Sequence, residues 1–211
     1  DAGELAEPDA WGLRLASEIL AESVALDSMN PRQKKIFNII QVAMPEVLVT
    51  PHLIAKERAV VGRYLNKIGD SRVVLTDVDV MRFCHVPAGL FCMGQVEYDK
   101  KSEAIYTETP AGEYDLSYEY WMSQYPVTVA QFKVFVNDSG FDIGYADALK
   151  AFSNTPVVSV SQKEALAFCD WLTERWCKAS WLSEAYRVTL PNEPEWEKAA
   201  RGGLEIPCAP S

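Results

Sequence analysis

The spacing of apolar residues changes near residue 72, and this change constrains the fold more than any other feature. Before that point apolar side chains recur every three or four positions, which is the period of an amphipathic helix. After it they alternate with polar side chains through residues 77–94 and 114–128, which is the period of a strand. The sequence therefore predicts an α+β protein, with a helical region or connector over residues 1–72 and a mixed domain over residues 73–211.

Three helices are predicted in the helical region. Asn30 is expected to cap the second helix and Pro45 to end it, while the third begins near Pro51 and stops at Gly69. The faces expected to be buried are Trp11, Leu15, Ile19 and Leu20 in the first helix, Ile36, Phe37 and Ile40 in the second, and Ile54, Val61, Leu65 and Ile68 in the third.

Capping boxes predict three more helices after residue 72. In this pattern Ser, Thr or Asn precedes the helix and Glu or Gln follows three residues later. The matching pairs are Thr128 with Gln131, Ser161 with Glu164, and Asn192 with Glu195. The first two helices are expected to bury Val129, Phe132 and Val136, and Ala165, Phe168, Cys169, Leu172 and Trp176.

Residues 187–203, RVTLPNEPEWEKAARGG, predict a short strand, a corner and a helix. Acidic residues come early in this helix and basic residues late, which suits the helix dipole, and two glycines supply a left-handed stop. At least one of its arginines is expected to pair with the carboxylates and hold the corner. The structural signature comprises Arg187, Pro191, Asn192, Glu195, Trp196, Arg201 and Gly202.

Charge and hydropathy exclude two classes of partner. The chain has 30 acidic and 20 basic residues and a net charge of −10, so a nucleic-acid-binding face is not expected. No apolar run approaches the ~20 residues that span a bilayer, and no signal peptide is recognised. We therefore expect a cytoplasmic protein without a membrane partner.

Neither a disulfide framework nor a zinc site is predicted, because the five cysteines form no CxxC pattern and are odd in number. Cys169 and Cys177 lie eight residues apart on one predicted helix. They can be a redox pair, but two small buried hydrophobes are the favoured interpretation. Four tryptophans in the second half can stack on a ligand, but core packing is the favoured interpretation for most of them: Trp171, Trp176, Trp181 and Trp196.

Four segments together resemble the formylglycine-generating enzyme, or sulfatase-modifying factor, family. They are VPAGLFCMG, YPVTVAQFKVFV, NTPVVSVSQKEALAFCDWL and YRVTLPNEPEWEKAARGG, in the family's order and approximate spacing. The resemblance covers about residues 79–203 and looks like the N-terminal half of such a domain. It implies an irregular C-type-lectin-like fold. Gln162 departs from the family's usual Trp, and Asn192 from its Thr.

The resemblance also implies where the family's chemistry lies. Its copper-binding cysteine pair and structural calcium ligands belong to the later half, so no catalytic, cofactor-binding or metal-binding residue is expected within this chain. Copper or calcium is expected only where a C-terminal half is present. Upstream, KERAVVGRYLNKIGDSR resembles the helical connector that precedes this domain in large bacterial multidomain proteins, including signalling NTPases and caspase-like proteases.

Three functions remain open. The favoured one is a non-catalytic recognition or scaffold module of a bacterial sensor, effector or variable ligand-binding protein, in which loops 95–113 and 138–155 bind a protein partner or ligand. The first alternative is a copper-dependent oxidase that converts a substrate cysteine to formylglycine, seen here as an incomplete piece. The second is an interaction protein whose helical region docks to a protease or NTPase.

Overall fold

The computed structural model describes residues 5–23, 28–94 and 112–204 of the 211-residue chain. Within them the chain folds into α-helices and short strands, which confirms the α+β class. The helices are α1 (Glu7–Ser23), α2 (Pro31–Val47), α3 (Ala55–Ile68), α4 (Val129–Ser139), α5 (Gln162–Lys178) and α6 (Glu193–Arg201). The strands are β1 (Phe83–Val86), β2 (Gly89–Met93), β3 (Gly112–Leu116) and β4 (Tyr120–Ser123).

The chain divides into two compact units. The first unit combines Asp1–Val80 with Pro126–Ser161, and the second combines Met81–Tyr125 with Gln162–Ser211. The boundary expected at residue 72 stays a prediction. No helix in the described parts of the chain is both long enough and apolar enough to cross a membrane.

The core of the first unit lies between α1, α2 and α3, each of which packs against the other two. Asn30 and Gln33 form the expected capping box at the start of α2. Gly69 ends α3 at a φ of 94°, a conformation that favours glycine. The buried side chains of this core are Ala10, Leu20, Met44, Val47, Leu53, Val61, Tyr64, Leu65 and Ile68.

The face predicted for α1 is wrong for three of its four residues, although Leu20 is buried as predicted. Trp11, Leu15 and Ile19 are exposed, with 55% of Leu15 and 58% of Ile19 accessible to solvent. The buried side instead carries Ala10 and Ser17, small residues that let neighbouring helices approach closely. The predicted burial of Ile36 in α2 and of Ile54 before α3 is wrong as well, because both side chains are exposed.

Two helix boundaries also differ from the prediction. Pro45 does not end α2, which continues to Val47 because the buried side chain of Val47 anchors the last turn. The backbone then closes with the amide of Leu48 donating to the carbonyl oxygen of Pro45. The third helix begins at Ala55 rather than near Pro51.

The segment after residue 125 joins the first unit through a buried helix cap. Thr128 and Gln131 form the predicted capping box of α4. The hydroxyl of Thr128 donates to the carbonyl oxygen of Leu75 at 2.5 Å, and the Gln131 amide nitrogen donates to the carbonyl oxygen of Val74 at 2.9 Å. Both polar side chains are therefore buried with partners, which fixes the start of α4.

The second unit contains two antiparallel strand pairs with α5 and α6. Strand β1 pairs with β4, with His85 opposite Trp121, and β2 pairs with β3, with Phe91 opposite Tyr114. The strand predicted from Arg187 to Leu190 is wrong, because this segment pairs with no strand among the described residues. Its backbone instead bonds to α5, where the amide of Val188 donates to the hydroxyl of Thr173 at 2.9 Å.

Candidate functional site

The signature helix α6 begins with a reciprocal cap. The side-chain oxygen of Asn192 accepts from the amide of Glu195 at 2.9 Å, and the Glu195 carboxylate accepts from the amide of Asn192 at 2.7 Å. This is the capping box that the sequence predicts. It satisfies backbone donors that the first turn would otherwise leave unpaired.

Two tyrosines at β4 bind the same end of α6. The Tyr118 hydroxyl donates to the Glu195 carboxylate at 3.0 Å, and the Tyr120 hydroxyl donates to the Glu195 carbonyl oxygen at 2.5 Å. Burial, and next the charge of Glu195, raise the pKa of Tyr120 to about 12. Tyr120 therefore stays a protonated donor, and the cap of α6 is attached to β4 within the second unit.

The middle of α6 holds both ends of strand β2. Glu197, only 7% exposed, accepts a hydrogen bond from the amide of Gly94 at 2.7 Å. Lys198, only 3% exposed, donates to the carbonyl oxygen of Gly89 at 2.7 Å, and its nitrogen lies 5.9 Å from the ring centroid of Phe91. Sequence reasoning missed this pair, since lysine and glutamate are rarely buried and no local pattern marks them.

Other signature residues lie just before α6 or at its C-terminal end. Arg201 pairs with Glu197 at 3.0 Å, so one of the two arginines makes the carboxylate contact that was expected. Arg187 and Pro191 are exposed. Gly202 has a φ of 90° and a ψ of −166°, so it takes a glycine conformation but not the expected left-handed helical one.

The expectation that tryptophans pack in the core is wrong for Trp181 and Trp196, which are 61% and 62% exposed. Trp171 and Trp176 are partly buried on α5. The ring of Trp176 packs edge-on against Phe83 with centroids 5.7 Å apart. Trp196 therefore leaves an aromatic ring on the outer side of the signature helix.

A second candidate feature, in the first unit, is the loop of residues 140–152 after α4. Its start is fixed by Gly140, whose φ of 67° ends the helix, and by Phe141, whose ring lies 5.3 Å from that of Phe135. Its far end is held by Ser153, whose amide and hydroxyl both donate to the side-chain oxygen of Asn66, at 2.7 and 2.6 Å. The loop is therefore anchored at both ends to helices of its own unit.

A buried polar network extends the second anchor. The Asn154 side chain donates to the carbonyl oxygen of Gly62 at 3.0 Å and to the Asp70 carboxylate at 2.9 Å. Asp70 also binds Arg72 through two side-chain contacts, at 2.9 and 2.6 Å. Burial raises the pKa of Asp70, but the hydrogen bonds from Arg72 and Asn154 together outweigh it, so this pKa lies below its ordinary value.

Between its anchors the loop presents exposed aromatic and charged side chains. Tyr145 and Phe152 are exposed, and Lys150 pairs with Asp147 at 2.6 Å on the surface. Of the two loops predicted to form a binding surface, residues 95–111 lie outside the described residues. Residues 112 and 113 belong to β3.

The motifs that build α6, β2 and α4 also identify the family. Residues 74–207 match the model of the Sulfatase-modifying factor enzyme 1-like domain, which is most of the chain. The chain belongs to this sulfatase-modifying factor family. The resemblance predicted from four sequence segments is thereby confirmed.

This sulfatase-modifying factor domain is also similar to a curated protein, the Formylglycine-generating enzyme of Bos taurus. The two are 26% identical over 165 residues, which cover 57% of this chain and 39% of the bovine protein. The chain thus spans about two fifths of the length of the curated relative that it matches.

The described cysteines of this sulfatase-modifying factor domain lie on three elements: Cys84 on β1, Cys92 on β2, and Cys169 and Cys177 on α5. Burial, followed by the charge of Asp170, raises the pKa of Cys169 to about 11. Such a group is a thiol at neutral pH, which suits a buried packing residue. Within residues 5–23, 28–94 and 112–204, no three or more His, Cys, Asp and Glu side chains cluster as metal ligands would. Cys208 lies outside the described residues.

Proposed function

We propose that this chain is a non-catalytic recognition or scaffold module, acting as part of a bacterial cytoplasmic sensor or effector. One observation carries the proposal: the ionisable side chains that face inward from the signature helix are engaged in internal contacts. Glu195 caps the helix, Glu197 binds the Gly94 amide, and Lys198 binds the Gly89 carbonyl. These side chains stabilise the fold of the second unit, so they are not available to bind a substrate.

Residues 140–152, in the first unit, are the surface with which the chain would contact its partner. The loop is held by Phe141 at one end and Ser153 at the other, and it exposes Tyr145 and Phe152 between them. A loop fixed at its ends loses little conformational entropy on binding. Exposed aromatic rings beside a surface ion pair are typical of protein-binding surfaces.

A copper and turnover assay tests the non-catalytic part of this proposal. The chain is titrated with Cu(I), and it is also incubated with Cu(I), oxygen and a cysteine-containing peptide whose mass is followed. We expect neither stoichiometric tight binding nor the mass change of formylglycine formation. Stoichiometric Cu(I) binding that is lost when the cysteines are replaced by serine would defeat the proposal.

The alternative function is a copper-dependent oxidase that generates formylglycine. The similarity to the bovine Formylglycine-generating enzyme favours it. In that case residues beyond those described here supply the metal ligands. Turnover by the complete product of the gene, together with its loss on replacing cysteines outside the described residues, would establish this alternative.

The third function is docking of the helical region to a protease or NTPase. The exposed apolar residues of α1 and α2 favour it. A pull-down of a candidate protease or NTPase that requires residues 1–72 but tolerates Tyr145→Ala separates this function from recognition by the loop. The reverse dependence supports the loop.

A further inference from the structure

Helix α1 carries an apolar stripe on the side that faces away from the core. Trp11, Leu15 and Ile19 are spaced by four residues and are all exposed. At about 100° per residue they share one helix face, which lies roughly opposite the buried Ala10 and Ser17. The apolar pattern that misled the sequence prediction is therefore a surface feature of the first unit.

Helix α2 has a similar stripe. Ile36, Ile39 and Val42 are exposed, the last two to 61% and 68%. At about 100° per residue, Ile39 and Val42 lie roughly opposite the buried Met44, and Ile36 lies at the border of the buried side. Single exposed hydrophobic side chains are ordinary, but consecutive ones on one face usually mark an interaction surface. Two such stripes on neighbouring helices indicate that this face of the first unit binds another protein surface.

The two helices differ in charge. Helix α1 carries Glu7, Asp9, Glu18 and Glu22 against Arg14 alone, and Arg14 already binds Glu18 and Glu57. Helix α2 carries Arg32, Lys34 and Lys35 against Glu46 alone. Each helix therefore presents the charge that the other would attract, beside an apolar stripe of similar size.

We propose that two copies of this chain associate through these helices, with α1 of one copy packed antiparallel against α2 of the other. The α1 stripe is about 12 Å long and the α2 stripe about 9 Å, at about 1.5 Å per residue. Antiparallel alignment of the stripe centres, Leu15 and Ile39, places Glu22 of one copy beside Arg32 of the other. Because the same contact can be made twice about a two-fold axis, the assembly closes as a dimer.

Sedimentation equilibrium of the full chain tests the apolar part of the contact. At micromolar concentration we expect a mass twice the 23.6 kDa of the chain. Leu15→Glu and Ile39→Glu, each at an exposed position, should each weaken association at least about tenfold. Val158→Glu is the matched control in the same unit, because Val158 is 61% exposed but lies outside α1 and α2. A monomeric wild type, or equal weakening by the control, overturns the proposal.

Charge reversal tests the orientation. Arg32→Glu and Glu22→Arg should each weaken association, and a chain carrying both changes should recover most of it. Glu22 also accepts a hydrogen bond from Tyr64 at 3.1 Å, so thermal unfolding of each variant is measured alongside. Recovery in the double variant supports the antiparallel pairing. A double variant that is no stronger than either single variant contradicts it.

Discussion

The buried ammonium group of Lys198 donates a hydrogen bond to the carbonyl oxygen of Gly89, 2.7 Å away and 109 residues earlier in the chain. Gly89 has a φ of 122°, which residues with a side chain rarely adopt. The glycine thus permits the turn, and the lysine binds the carbonyl that the turn presents. Two of the family's segments, VPAG and EWEKAARGG, depend on each other through this one contact.

We expect Lys198→Met to destabilise the fold by about 1–3 kcal/mol, because it leaves the Gly89 carbonyl without its donor while keeping the length of the side chain. Urea unfolding measures the change. Lys178→Met is the matched control, since the Lys178 side chain is 78% exposed, and its effect should stay within about 0.5 kcal/mol. A methionine variant as stable as the wild type would mean that the free energy of desolvating the ammonium group cancels the free energy gained from its contacts.

Glu197 provides a second test of the contacts that join α6 to β2. Glu197→Ala leaves the Gly94 amide without an acceptor and Arg201 without this partner, so we expect a loss of about 2–3 kcal/mol. Glu197→Gln keeps an acceptor oxygen and should lose about half as much. The measurement is the free energy of unfolding of each variant relative to the wild type. Glu184→Gln, at an exposed position, is the control. Equal losses for alanine and glutamine would assign the effect to charge rather than to the Gly94 hydrogen bond.

The features predicted from sequence are those encoded within a few neighbouring residues. The caps at Asn30, Thr128 and Asn192 were predicted because donor and acceptor are three residues apart. The burial of Glu197 and Lys198 was not predicted, because their hydrogen-bond partners lie 103 and 109 residues away in the sequence. The distant contacts that build the candidate site have no local signature.

Helix α1 shows a different limit. Its periodicity correctly predicts a helix with an apolar stripe, but periodicity does not say which side of a helix faces the core. The core side is lined by the small Ala10 and Ser17, while the large Trp11 is exposed. A choice based on hydrophobicity alone favours the larger residues, so it selected the wrong face.

Asp70 should make stability depend on acid. Its pKa in the folded chain lies below the usual 3.8, so its contribution is complete above that value and is lost as pH falls through the lower, folded pKa. At neutral pH, Asp70→Asn should cost about 2 kcal/mol, because Arg72 and Asn154 lose a charged acceptor. Below pH 3.8 the difference between variant and wild type should shrink.

Thermal unfolding of the wild type and of Asp70→Asn is measured from neutral pH down to about pH 2.5. This range includes the pH at which the Asp70 carboxyl group titrates, so it shows how the difference in stability changes. Asp142→Asn, at an exposed position in the loop, serves as the control and should change little at any pH. A difference between wild type and Asp70→Asn that stays constant down to the lowest pH would show that the charge of Asp70 does not stabilise the network.

The thiols should react in an order set by burial. Cys84 is exposed, whereas Cys169 is buried and has a pKa raised from 9.0 to about 11. Because the thiolate is the nucleophile, two pKa units lower its fraction at neutral pH about a hundredfold, and burial slows access further. We expect iodoacetamide to label Cys84 in the folded protein and Cys169 only after unfolding in urea, as read from peptide masses. Cys169 labelled as fast as Cys84 under native conditions would contradict its role as a packing residue, and would reopen the interpretation that it forms a redox pair with Cys177.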